Sequence, residues 1–264
     1  MADHDYSLAE LCITAGAECF RDEGEIMMTV IGLVPRLSGS LAKASFNPGL
    51  MMTDGEYYLV DEPVPVGPRN GYEPKKIGVM GYERVFDIVA RGDRHCFVGP
   101  VQVDRFGQMN ISVIGDYESP KAALLGVRGY PGNSINNRNS MFVPSHSKRS
   151  FVAGEVDMVC SAGYNPARFP GGKIPPHIDL RRIVTDLCVM DFGGPDHAIR
   201  VISLHPGVSI DEVQDKTGFD LLKADNLGET PAPTQAQLDL IAALDPHNLR
   251  AKVFRDNPPG RRAN

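Results

Sequence analysis

The sequence predicts an α/β protein built on an open, mostly parallel or mixed sheet with helices on both faces. Three features predict it. The first quarter of the chain alternates helix, strand, helix and strand signals, the order that builds a parallel, doubly covered sheet. Ser-x-x-Glu capping signatures open two of the helical segments, at Ser7 and Ser209. An apolar run over 96–98 leads straight into Gly99 and a polar turn. Loops of this composition emerge at the carboxyl ends of strands in open α/β sheets, where ligands sit.

Each element follows from local pattern. Ser7 and Glu10 cap a first helix whose apolar stripe is Leu8, Leu11, Ala15 and Cys19, and Gly24 stops it. Residues 26–31 form a short apolar run and read as a buried strand. Gly32 and Pro35 punctuate a loop, 37–46 reads as a second helix, Asn47-Pro48-Gly49 as a turn and 50–53 as the next strand. A loop rich in proline and glycine covers 60–74. Residues 77–80 read as a strand, and 82–90 as a helix with Val85, Ile88 and Val89 inward. The strand ending at Val98 follows. Ser119 and Pro120 have the positions of a cap and first residue for a helix over 119–125, and the glycine-spaced 126–134 reads as a loop. Strand signals dominate afterwards, at 141–143, 156–160, 182–192 and 199–204. Helices are expected after Ser209 and over 234–244. The organisation expected is one domain over 1–256 and a frayed polar tail over 257–264.

Composition narrows the function classes. The chain has 264 residues, 42% hydrophobic and 23% charged, enough for a substantial core. A formal charge of -6 argues against a nucleic-acid surface. No apolar run is long enough to span a membrane, and 1–5 lack the layout of a signal peptide. Cys12, Cys19, Cys96, Cys160 and Cys188 are scattered in apolar contexts, which reads as reduced buried thiols and a cytoplasmic location. No C-x-x-C pair or His/Cys cluster indicates a metal site.

Three segments could carry chemistry. Gly126, Gly129 and Gly132 space a loop whose amides could hold a thioester oxyanion or a phosphate, with Arg128 adding charge. It is neither a Walker loop nor a dinucleotide fingerprint. Gln102, Asp104 and Asn110 surround a strand-end turn, where composition alone equally suits side chains that satisfy local amides. Glu56 follows a strand and is a candidate nucleophile or base, although a lone glutamate in a polar turn is more often simply solvated. His95 and His205 lie in or at strands and read as structural.

The segment Gly99 to Asn110, read as G-x-x-Q-V-D-x-x-G-x-x-N, resembles the β subunits of family I coenzyme A transferases. So do Arg182-Ile183-Val184-Thr185-Asp186-Leu187 and the closing Pro206-Gly207-Val208 through Thr217-Gly218. The resemblance implies the coenzyme A transferase fold. Transferases of that family carry a glutamate after the second strand that takes up coenzyme A as a thioester. Here the corresponding stretch is Thr53-Asp54-Gly55-Glu56, with Gly55 at the nucleophile position and Glu56 displaced by one. In a strand, a one-residue shift turns a side chain to the opposite face.

Within the family the chain is similar to a branch of actinobacterial steroid ring-cleaving hydrolases, including its 126–133 region. That resemblance implies a β subunit working with an α subunit as α2β2. The reaction it implies is hydrolytic cleavage of a ring carbon–carbon bond in a cyclohexenone-type coenzyme A thioester. The main carboxylate is then expected on the α subunit, and coenzyme A is part of the substrate, with no separate cofactor. Arg128 and Asn133 are the expected catalytic donors. Gly99, Gln102, Asp104, Asn110, Gly126, Gly129, Gly132 and Glu56 are the expected substrate-binding positions. Two alternatives stay open: a transferase β subunit using Glu56, and a non-catalytic scaffold completing a partner's site.

Overall fold

The computed structural model describes residues 6–55, 57–124, 126–127, 129–258 and 260. In chain order its first half runs α1 (Leu8–Ala17), β1 (Met27–Val30), α2 (Leu33–Ala44), β2 (Met52–Asp54), β3 (Tyr58–Val60), β4 (Lys76–Val79), α3 (Tyr82–Arg91) and β5 (Arg94–Val98). Short pieces follow: β6 (Gln102–Val103), β7 (Met109–Asn110), β8 (Val113–Ile114), β9 (Ala122–Ala123) and α4 (Tyr130–Asn136). The rest is β10 (Arg138–Val143), β11 (Asp179–Thr185), β12 (Cys188–Asp191), β13 (Arg200–Leu204), α5 (Ile210–Asp215), β14 (Leu222–Glu229) and α6 (Gln235–Leu244).

Seven strands make one mixed sheet in the order β1-β5-β10-β11-β12-β13-β14. Neighbours from β1 to β11 are parallel, β12 is antiparallel to both its neighbours, and β13 and β14 are parallel again. Period-2 alternation divides the core between the two faces. Phe97, Phe142, Val184 and Val189 point to one face, under α1, α2 and α6. Cys96, Val98, Met141, Val143, Ile183 and Met190 point to the other. Helices therefore cover both faces as expected, but on the second face α4 and α5 share the work with hairpins and irregular chain.

Several elements differ from their local signals. The second helix begins at Leu33, so Pro35 lies in its first turn, where a missing N–H costs little. The strand expected at 50–53 divides: Met51 bridges Met27 at the edge of the main sheet, and Met52–Asp54 leaves to form a small antiparallel sheet, β2-β3-β4. The helix expected over 119–125 is instead the β8–β9 hairpin, closed by Lys121 N–H to the Ile114 carbonyl at 2.8 Å and by Asp116 Oδ1 accepting from Glu118 N–H at 2.8 Å. The loop expected at 126–134 becomes helical from Tyr130, because the Tyr130 ring is buried against the sheet. Residues 156–160 form no strand, and 182–192 breaks into β11 and β12, where Thr185 Oγ1 accepts from the amides of Leu187 and Cys188 at 3.0 Å each. β14 carries no apolar signal in the sequence; it is polar, mostly exposed and held by its ladder to β13.

The helix caps behave as written in the sequence. Ser7 with Glu10, and Thr234 with Gln237, form reciprocal capping boxes; Ser209 accepts from Glu212 N–H. The tail expected to fray at Asn257 is docked where it is described. The Pro258 carbonyl accepts from Leu8 N–H at 2.8 Å, and Gly260 N–H donates to the Tyr6 carbonyl at 2.9 Å. All five cysteines are buried thiols, none in a disulfide.

Candidate active site at the strand ends

The chain's order places a topological switch point between β1 and β5. From β1 it passes through α2 to the small sheet on one side, and it returns through α3 to β5 on the other. Ligands in open α/β sheets bind outside the carboxyl ends of strands at such a point. Here the crest is formed by Ile31-Gly32 after β1 and Gly99-Pro100 after β5, joined by Ile31 N–H donating to the Phe97 carbonyl at 3.0 Å. Gly32 stands at φ 106, a conformation that favours glycine, and opens α2. Gly99 is exposed on the crest.

Arg36, in the first turn of α2, ties the small sheet to this crest. Its Nη1 donates to the Thr53 carbonyl at 3.1 Å. Burial pushes its pKa down, and neighbouring Asp54 opposes that shift. Asp54 pairs tightly with Arg69, which holds the carboxyl below the usual carboxylate range. β2 ends at Asp54 and pairs it with Tyr58. The strand alternation invoked for Glu56 therefore does not reach that position, because the chain has already left the strand. Glu56 and Arg128 themselves lie outside the described residues.

The family turn is a closed polar network. Gln102 and Asn110 pair across β6 and β7, and Asn110 Nδ2 donates to Gln102 Oε1 at 2.7 Å and to the Val113 carbonyl at 2.6 Å. Asn110 Oδ1 accepts from Ser112 and Val113 amides. Gln102 Nε2 donates to Asp157 Oδ2 at 3.0 Å, and Asp157 N–H returns a bond to Gln102 Oε1 at 2.9 Å. Asp104 Oδ1 accepts from the amides of Phe106 at 2.9 Å and Gln108 at 3.1 Å. Burial raises the Asp104 pKa to about 6, against those amide bonds and with some help from Glu155. At the tip, Gly107 has φ 72, and a Cβ there would meet the Phe192 ring at 2.5 Å. Gln102, Asp104 and Asn110 are thus brought together, and their side chains hold the hairpin in shape.

The second predicted segment meets the first at one point. Tyr130 Oη donates to Asn139 Oδ1 at 3.1 Å and touches Met109 Sδ at 3.5 Å. Asn133, on the same helix, is buried; its Nδ2 donates to Cys96 Sγ at 2.8 Å and Asn139 Oδ1 at 3.3 Å, and its Oδ1 has no hydrogen bond. Asn133 therefore faces the middle of β5 rather than the crest. Gly126, Gly129 and Gly132 differ from Gly107: a Cβ on any of them would meet nothing within 4 Å of this chain.

Sequence patterns single out neither Arg36 nor His146. His146 lies just past β10, buried, with Nδ1 3.2 Å from Thr185 Oγ1 and Nε2 2.9 Å from Thr217 Oγ1, and stacks on Phe151. Burial pushes its pKa down to about 3. His95 and His205 are structural, as their positions in strands suggest: His95 bonds Glu23 and Ser140, and His205 bonds Thr230 and the Thr185 carbonyl. No group of metal-ligating side chains occurs among the described residues, and no helix among them is long and apolar enough to cross a membrane. A cavity of about 470 Å³ lies elsewhere, between α1, the start of α6 and β11–β14, and includes none of the predicted site residues.

The mixed sheet with its strand-end hairpin defines a coenzyme A transferase-type subunit, and similarity to known proteins agrees. The chain is 30% identical over 263 residues to one of the two subunit types of a 3-oxoadipate CoA-transferase from Pseudomonas knackmussii, covering 93% of this chain and 96% of that one. No family model matches. More similar still is the cholesterol ring-cleaving hydrolase IpdB subunit of Mycobacterium tuberculosis, 41% identical over 248 residues, 94% of this chain and 98% of that protein. The crystal structure of Rhodococcus jostii RHA1 IpdAB superposes with a TM-score of 0.86 at 38% identity, over 95% of this chain and 99% of that one. The chain belongs to the IpdB family of ring-cleaving hydrolase subunits within the coenzyme A transferase superfamily.

Proposed function

We propose that this chain is the β subunit of a heteromeric hydrolase that opens a ring of a cyclohexenone-type coenzyme A thioester in steroid degradation. The observation that carries this reading is the fate of the acidic groups near the crest. Asp104 spends Oδ1 on its own turn, and Asp54 is paired with Arg69. Neither is free to carry an acyl group, so the main carboxylate comes from an α subunit. Similarity to the two-component IpdAB supports that division of labour.

Cleaving a carbon–carbon bond beside a carbonyl needs a base for water and donors where enolate charge develops. The exposed Gly129 and Gly132 and the half-buried Gly126 leave room for substrate to approach the backbone, with Arg128 as the nearby charge. Asn133 acts from behind this segment by fixing α4 on Cys96 and Asn139. Gly99 and the Gln102, Asp104 and Asn110 hairpin shape the neighbouring wall. Coenzyme A enters as the substrate's handle, and the buried thiols suit a cytoplasmic enzyme.

The competing reading is a transferase that loads coenzyme A on Glu56. One observation favours it: Arg36 holds the end of β2 against the crest, so the residues after Asp54 lie near the switch point. The test is a Glu56→Gln variant of the two-subunit enzyme, assayed for ring opening and for trapping by borohydride or hydroxylamine in the presence of acyl-CoA. Ring opening that survives within about threefold, with no adduct, is expected. Loss of turnover together with a coenzyme A adduct at Glu56 in the parent enzyme would establish the transferase instead.

A further inference from the structure

An apolar face runs along the small sheet and the helix that follows it. Of the twelve exposed large hydrophobic side chains among the described residues, seven fall within 57–86, so the exposed apolar surface is concentrated there. Ile77 is 61% exposed and Val79 58% on β4; Tyr82 is 70% and Phe86 68% exposed on α3. Tyr58 lies directly opposite Val79 in the β3–β4 ladder, so both point to one face. Tyr82 and Phe86 are four residues apart and share a helix face. Single exposed apolar residues are ordinary, but a contiguous set marks an interaction surface.

Two backbone features sharpen this. β4 is an edge strand with one side unpaired among the described residues, and it carries no inward charge or proline over Lys76–Val79. An open apolar edge of that kind is a liability unless something covers it. α3 has ten residues and none of them buried. A helix of that length is marginal in water without a packed face. Val85, Ile88 and Val89 are only half-buried, so the chain's own core covers one side of α3 incompletely and leaves the Tyr82–Phe86 side bare.

The geometry points to the β4–α3 face as the surface on which the α-type subunit of this enzyme docks. A partner seated there covers the open edge of β4 and the bare side of α3 together. It also overhangs the hairpin that follows Asp54, which Arg36 holds at the crest. That places a second chain beside the switch point, where this chain offers no free described carboxylate. Relatives of known structure are two-component assemblies, which selects an α-type subunit over a second copy of this chain as the occupant. The inference rests on the two-subunit part of the proposed function and is independent of the ring-opening chemistry.

The experiment uses the complex with the chain's own α-type subunit, co-expressed. A photo-crosslinking residue, p-benzoylphenylalanine, replaces Val79, Phe86 or, as a control elsewhere on the surface, Tyr117, which is 68% exposed. Cross-links from positions 79 and 86 to the α subunit, and none from 117, are expected. In parallel, Phe86→Glu should weaken co-elution of the two subunits more than tenfold, as loss of an aromatic anchor does. A thermal melt of this chain should be unchanged, because the side chain is exposed. Cross-links joining two copies of this chain, or cross-links to the α subunit only from 117, would overturn the inference. So would an affinity for the α subunit that neither Phe86→Glu nor Val79→Lys changes. A complex that cross-links as expected but opens no ring would sink only the proposed chemistry.

Discussion

Gln102 and Asn110 lie opposite each other across two short strands, and the Asn110 amide donates to Gln102 Oε1 at 2.7 Å. That single bond joins the two halves of the family turn and links it through Gln102 to Asp157, 55 residues away. Asn110→Ala leaves the Val113 carbonyl, the Ser112 amide and Gln102 Oε1 short of partners in a buried setting. A cost of about 2–4 kcal/mol is expected, since each stranded buried group costs ~1–3 kcal/mol. Gln102→Ala combined with Asn110→Ala should cost less than the sum, with a coupling of ~1 kcal/mol in denaturant titrations.

Asp104 and His146 should bend the stability profile in opposite directions. The Asp104 carboxyl rises from 3.8 to about 6 on folding, so the native state binds the extra proton and stability falls as pH climbs from 4 to 6. His146 falls from 6.5 to about 3, so the unfolded state binds the extra proton and stability rises over that same window. Each effect is roughly 2–3 kcal/mol across pH 4–6, at 1.36 kcal/mol per pKa unit. The two nearly cancel in the parent protein. Asp104→Asn should expose a rising profile and His146→Gln a falling one, read from denaturation midpoints at pH 4, 5 and 6. Parallel profiles for both variants would contradict this account.

Gly132 lies inside α4 without a positive φ and without a crowded Cβ position. Gly132→Ala should therefore raise stability by ~0.5–1 kcal/mol, the ordinary helix preference for alanine. If substrate approaches this backbone as proposed, the same variant should lose activity at least tenfold. A variant that is both more stable and fully active would remove Gly132 from the substrate wall.

Ser7 caps α1 and Glu10 closes the box, and Glu10 also receives Arg250 at 3.0 Å. Ser7→Ala should cost about 1 kcal/mol, typical of losing an N-cap oxygen. Glu10→Gln keeps the box but loses the charge facing Arg250. It should cost less than Ser7→Ala at high salt, where the remaining ion-pair energy is screened. Thermal melts in low and high salt separate the two.

Legibility in the sequence followed the range of the forces involved. Helix caps act over three or four residues, and the Ser7, Ser209 and Thr234 helices stand where local pattern put them. The Ser119-Pro120 signal is equally local but misleads, because the amides of Lys121 and Leu124 find strand partners at Ile114 and Ser112. At 126–134 the glycines suggest a loop, and burial of Tyr130 against Met109 and Asn139 makes part of it a helix. Arg36 and His146 carry no motif. Their settings come from Thr53, Thr185 and Thr217, none of them near in sequence.

The amino-acid order by itself determined the fold class, the family and which residues form the strand-end turn, since apolar period, caps and motif spacing are properties of neighbouring residues. Only the tertiary structure decided how the polar groups are used. It turned Asn133 inward onto Cys96, closed Asp104 over its own turn and brought Arg36 to the end of β2. The physical reason is that a buried donor or acceptor must be satisfied by whatever the fold brings within about 3 Å. For these residues that partner comes from a different stretch of chain or from a turn whose shape the surrounding core imposes.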